Sequence, residues 1–124
     1  MKTFSAVATL IAFFGVNSVY AGCYSGGDAW QDAGAARSQA QSACETGAFS
    51  GHFAAGESKS ACFQLTGTQR VDFVVQNLNT GSGYDLAHAD CTLRLQNEIN
   101  GCSFGGESDV SGWHFKSDPS NGVC

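Results

Sequence analysis

Six cysteines, Cys23, Cys44, Cys62, Cys91, Cys102 and Cys124, lie in the last 103 residues of this 124-residue chain, with 10 to 28 residues between neighbours. Ahead of them stands a segment built like an export signal. It has one cation at Lys2, an apolar run over residues 6–16, and Val19 and Ala21 at the two positions a signal peptidase reads. An even cysteine count behind such a segment predicts three disulfides in a small secreted domain. Metal binding is the other common use of cysteine, but zinc sites draw on ligands about two to five residues apart, and no cysteine gap here is that short.

The expected cleavage precedes Gly22, giving a signal peptide over residues 1–21 and one disulfide-stapled domain over residues 22–124. The apolar run is 11 residues long, against about 20 for a bilayer-spanning helix. It therefore reads as a removable signal and not an anchor. With Lys2 gone, five Lys and Arg face eleven Asp and Glu, a net charge of −6. That balance disfavours nucleic acid and anionic membranes, whose binders carry basic patches. The mature chain contains no Asn-x-Ser/Thr sequon, so no N-glycan is expected.

Along the mature chain, Asp28 is placed to cap a first helix over about residues 29–46, with Trp30, Ala33, Ala40 and Cys44 at helical spacing and Gly47 as its left-handed stop. From Phe49 the apolar period falls to two. A hairpin is expected from Cys62-Phe63-Gln64-Leu65, a Thr66-Gly67-Thr68 turn and residues 71–76, with an extra strand around His52 and Phe53. Asp85 is then placed to cap a second helix lined by Cys91, Leu95, Ile99 and Cys102, ending near Gly101. Residues 111–115 read as a last strand and residues 117–122, centred on Pro119, as a turn. Two helices, an antiparallel hairpin and further short strands make this an α+β domain. Cys91 and Cys102 are 11 residues apart on the second helix, about 16 Å along its axis, whereas bridged Cα atoms lie within about 7 Å. That pair is excluded, and twelve pairings remain.

Catalytic signatures are missing. No nucleophile elbow, phosphate loop or calcium loop occurs, and His88 with Asp90 is better read as a solvated helix start than as a metal site. No cofactor and no metal are expected. A small secreted ribonuclease needs a His, a Glu and an Arg to move protons and steady a phosphate, and His52, Glu57, Arg70 and His114 supply those types without a spacing signature. This hydrolase reading ranks third.

Binding chemistry is richer. A sugar offers apolar C–H faces and a rim of hydroxyls, so aromatic plates beside Asp, Asn or backbone groups suit it. Tyr24, Trp30, Tyr84 and Trp113 are the available plates, and the C-terminal segment concentrates the polar partners. On core-forming grounds Trp30 and Trp113 read as buried, with His114 and Lys116 exposed beside Trp113 and Phe115.

That C-terminal segment, Gly-Gly-Glu-Ser-x-x-Ser-Gly-Trp-His-Phe-x-x-Asp-Pro-Ser-Asn-Gly-x-Cys over residues 105–124, follows Asp90-Cys91-x-x-x-Leu95-x-x-Glu98-Ile99-x-x-Cys102 and Gly56-Glu57-x-Lys59-x-x-Cys62. Together they resemble the small six-cysteine glycan-binding lectins secreted by fungi. The resemblance spans nearly the whole mature chain, with the last forty residues distinctive. It implies an α/β sandwich with an antiparallel sheet of about four strands packed by two main helices, three disulfides and non-catalytic binding of an extracellular glycan or glycoprotein, in defence or host interaction. Killer-toxin-like and effector-like fungal proteins share a similar plan, which makes a toxin acting on foreign cells the runner-up. On chemistry alone the expected glycan contacts are Tyr84, Asp85, Trp113, His114, Asp118 and Asn121. The sequence specifies neither the glycan nor the oligomeric state.

Overall fold

A computed structural model describes residues 20–124, so the expected signal segment falls outside it except for Tyr20 and Ala21, which begin the first strand. Seven strands and two helices follow in the order β1 (Tyr20–Cys23), α1 (Ala33–Glu45), β2 (Gly51–Phe53), β3 (Ser58–Gln64), β4 (Gln69–Asn77), β5 (Tyr84–Leu86), α2 (His88–Asn100), β6 (Gly106–Val110) and β7 (Trp113–Asn121). The main sheet is antiparallel throughout, with strand order β1-β6-β7-β4-β3, and β2 pairs with β5 in a separate two-stranded sheet. The α+β reading holds, with five strands in the main sheet. Among the described residues no helix is long and apolar enough to cross a membrane.

The hairpin is β3–β4, and the extra strand around His52 is β2, joined to β5 and not to the hairpin. Helix α1 starts later than expected because Asp32, not Asp28, caps it, accepting the Ala35 N–H at 2.9 Å. Asp28 instead accepts the Asn121 N–H, fastening the start of the chain to the end of β7. At the other end Gly47 is left-handed, with φ +89°. There the Ala48 N–H reaches the Ala43 carbonyl and the Gly47 N–H the Cys44 carbonyl, the two bonds of a Schellman stop.

Two further expectations are corrected. Asp85 is not a helix cap but the middle residue of β5, and Ala87 precedes α2 without any side-chain cap bond. The segment 117–122 is not a turn, because β7 runs straight through it. Pro119 is tolerated there because β6 pairs with β7 only as far as Ser117, so the missing N–H falls beyond the end of the neighbouring strand. The tight turn lies earlier, at Ser111 (φ 52°) and Gly112 (φ 83°).

Both helices cover one face of the main sheet. Ser117 on β7 donates to the Leu95 carbonyl of α2 at 2.9 Å, and Ser108 on β6 donates to Glu98 of α2 at 2.6 Å. Buried Ala36, Ala40 and Ala43 give α1 a smooth surface against its neighbours, beside a core of Phe49, Phe53, Phe73, Phe115, Val71, Val75, Leu95 and Ile99. Phe49 meets Phe73 edge-on at 6.0 Å. Trp30 lies just before α1, half-buried, with its indole N–H on the Cys102 carbonyl.

All six cysteines are paired, as Cys23–Cys102, Cys44–Cys91 and Cys62–Cys124. The excluded Cys91–Cys102 bridge is not made. Each end of α2 is instead tied elsewhere, the start to α1 and the end to β1.

Candidate functional site

With α1 and α2 on one side, no helix or strand among the described residues lies over the other face of the main sheet. Strand alternation sends Phe115, Ser117, Val71, Phe73 and Val75 toward the helices. The alternate residues face away from them: His114, Lys116 and Asp118 on β7, Glu107 and Asp109 on β6, Arg70, Asp72 and Gln76 on β4. In the register Glu107 lies opposite Lys116 and Asp109 opposite His114. Polar residues therefore dominate the open face, and they meet most closely where β1, β6 and β7 run side by side.

Glu107 organises that region. One of its carboxylate oxygens accepts the Tyr24 hydroxyl at 3.1 Å and the other lies 3.2 Å from Nε2 of His114. Nδ1 of His114 meets Asp109 at 2.5 Å. The imidazole is thus held at both nitrogens, with only a fifth of its side chain exposed. Tyr24 is placed by its backbone, whose N–H continues the β1–β6 ladder onto the Gly105 carbonyl. The result is a cleft of about 290 Å³ lined by Gly22, Cys23, Tyr24, Glu107, Asp109 and His114. A wider hollow lined by Tyr24, Ser25, Gly26 and Asp118 adjoins it through the shared tyrosine. The cleft lies near the lower end of the sizes that hold small ligands.

The electrostatics are acidic and partly desolvated. Burial raises the Tyr24 phenol well above its ordinary value, and the Glu107 carboxylate raises it further, so the hydroxyl stays a donor. Burial also raises Asp118, reinforced by Asp72, Asp28 and Glu107 against the pull of Lys116. Beneath the strand, on the helix side, Glu98 is raised by burial, partly offset by the Ser108 hydrogen bond and the nearby His114. Half-buried carboxylates with few basic partners form strong hydrogen-bond acceptors for a neutral polyol.

The six residues expected from the sequence fall in three places. His114 and Asp118 are on the uncovered face, and Asn121 ends the same strand, its N–H bound to Asp28. Trp113 turns toward the helix side, half-buried, with its ring edge-on to Phe53 at 5.0 Å. Tyr84 and Asp85 are on β5, in the small sheet. Tyr24, Glu107 and Asp109 were absent from the expected set. Glu107-x-Asp109 carries the period-two signal of a strand, but the glycines at 105 and 106 make the segment read as a break. His114 and Lys116, expected to be exposed, are half-buried among these groups.

The four residues of the hydrolase reading are not brought together. His52 is on the small sheet, and Glu57 accepts the Ala54 N–H in a turn. Arg70 pairs with Asp72 opposite Ser120. His114 lies six residues away from Ser120 along β7, about 20 Å. Among the described residues no group of three or more His, Cys, Asp or Glu is placed to hold a metal ion.

The sequence profile of the family described as glycan binding domain Y3 matches residues 35–124, which include five of the six cysteines and both Glu107 and His114. No curated protein matches the chain.

Proposed function

The chain belongs to the glycan binding domain Y3 family, and from that membership we propose that it is a secreted, non-catalytic lectin that holds its glycan on the uncovered face of the main sheet. The observation that carries this placement is Glu107, which fastens Tyr24 and His114 around one cleft. A sugar ring needs an apolar plate and several hydroxyl partners at fixed angles. Tyr24 offers the plate. Glu107, Asp109 and Asp118 offer acceptors, and Lys116 a donor. Because three carboxylates outnumber the one lysine there, the cleft favours neutral sugars over sialylated, sulfated or uronic ones. Three disulfides keep its walls in place, which limits the ordering cost of binding.

A glycan array probed with the oxidised protein tests the function, and affinity for its strongest hit tests the site. Glu107→Gln and Asp118→Asn should each weaken binding by roughly five- to a hundredfold, since a charged hydrogen bond contributes about 1 to 3 kcal/mol. Unchanged affinity in both folded variants would move the site elsewhere. Consumption of the bound oligosaccharide would contradict the non-catalytic reading.

A further inference from the structure

We propose that a cavity between α2 and β6, on the helix-covered side of the sheet, binds a small aromatic acid bearing a hydroxyl group, with Arg94 holding the carboxylate and Glu98 accepting the hydroxyl. The proposal depends neither on the glycan reading nor on where the sugar sits.

The sequence of α2 prepares this flank. Arg94, Asn97, Glu98 and Gly101 recur at three- and four-residue spacing, so they share one side of the helix. That side adjoins the stripe of Cys91, Leu95 and Ile99 that enters the core. Opposite it, alternation turns Gly106, Ser108 and Val110 of β6 toward the helix. A glycine and a serine are too short to fill the space beneath α2. The four helix-side residues, with Ser108, Val110, Phe115 and the Cys23–Cys102 disulfide, therefore line a cavity of about 220 Å³. About 150 Å³ already suffices to hold a benzene ring.

Burial gives the cavity a direction. Glu98, Ser108, Val110, Phe115 and Cys102 are buried, whereas Arg94 is half-buried and Asn97 and Cys23 are exposed. The inner end is thus largely apolar, with one carboxyl in it, and the opening is at Arg94 and Asn97.

Both charged groups have contacts to spare. Glu98 accepts the Ser108 hydroxyl at 2.6 Å on one oxygen, and among the described residues its other oxygen has no donor. A buried acceptor left in that state is costly. Arg94 stands one helical turn before Glu98, yet among the described residues its guanidinium pairs with no carboxylate. A ligand that answers all these features has a flat apolar body, a hydroxyl donor at one end and an anion at the other. Hydroxybenzoates and hydroxyphenylacetates are built this way. The ring would lie among Val110, Phe115 and the disulfide, and the carboxylate would take two parallel bonds from the guanidinium. Glu98 repels the carboxylate, which fixes the orientation. A sugar is a poor match, because hydroxyls around its rim would face Val110 and Phe115 without partners. Ser108 and Glu107 are neighbours on β6 and face opposite sides of the sheet, so this cavity is distinct from the Tyr24–Glu107 cleft.

Amide shift mapping of the oxidised protein at pH 7, titrated with 4-hydroxyphenylacetate up to about 10 mM so that millimolar sites are reached, tests the assignment. Saturable shifts are expected at residues 94–102, 108–110 and 115. Phenylacetate lacks the hydroxyl and 4-hydroxybenzyl alcohol lacks the charge, so each should bind about fivefold or more weakly than the parent compound. Arg94→Gln should weaken 4-hydroxyphenylacetate by about fivefold or more and leave 4-hydroxybenzyl alcohol unchanged, because only the acid uses the guanidinium. No saturable shift at these residues, equal binding of the three compounds, or an Arg94→Gln protein that binds the acid as the parent does would each overturn the proposal.

Discussion

Glu98, with 5% of its surface exposed, lies under the strand whose other side carries Glu107 and Asp109. Its position gives the stability of this molecule a definite sign with pH. Burial raises its pKa above the ordinary 4.5 in the folded chain, so the folded state binds that proton more tightly than the unfolded one. The stability it contributes is complete below the unfolded value and is lost as pH rises through the folded one. Asp118 is raised in the same way and adds to the trend. We therefore expect the urea midpoint to rise as the pH falls from 7 toward the raised values. Glu98→Gln, which keeps an acceptor for Ser108 without the charge, should flatten that rise. An unchanged pH dependence in Glu98→Gln would show that the carboxylate is not desolvated as the structure has it.

Among the elements, β6 and β7 do most to form the cleft, and Gly105 controls how they meet. It has φ +75°, and a Cβ there would collide with the Ser117 carbonyl and the Pro119 ring. Two of those three penalties involve groups that cannot rotate away. Gly105→Ala should therefore cost more than about 2 kcal/mol by denaturation. Gly26→Ala, at a position with open space around it, should cost little. The local elements were legible from sequence. The β3–β4 hairpin, the Gly47 stop and the α2 stripe all follow from patterns within one window of residues. The misread elements depend on distant partners. Pro119 looks like a turn until the length of β6 is known, and Asp85 looks like a helix cap until β2 is placed beside it. The same limit applies to the candidate sites. His114 and Asp118 stand in a distinctive segment, but Tyr24 joins Glu107 across 83 residues, and no local signal carries that contact.

At the scale of the molecule, the three disulfides join parts that hydrogen bonding holds only in places. Cys62–Cys124 spans 62 residues and fastens the C-terminal tail, where the Cys124 N–H also reaches Gln64 and the Arg70 guanidinium reaches the Asn121 carbonyl. Replacing both cysteines with serine should cost about 2 to 4 kcal/mol through the unfolded ensemble. Asp118, three residues before the end of β7, should then bind sugar less tightly. Calorimetry paired with titration of the sugar reads both effects. A double mutant with unchanged melting would mean that the tail contributes nothing to the fold. In the proposed placement, the open polar face of the sheet, set apart from the helix-covered one, is the surface that holds the glycan. That claim is tested most directly by a crystal structure of the oxidised protein with the strongest array hit bound. A sugar ring against Tyr24 with hydroxyls within hydrogen-bond distance of Glu107 or Asp118 is the expected result, and density for the glycan on the helix-covered side alone would contradict the placement.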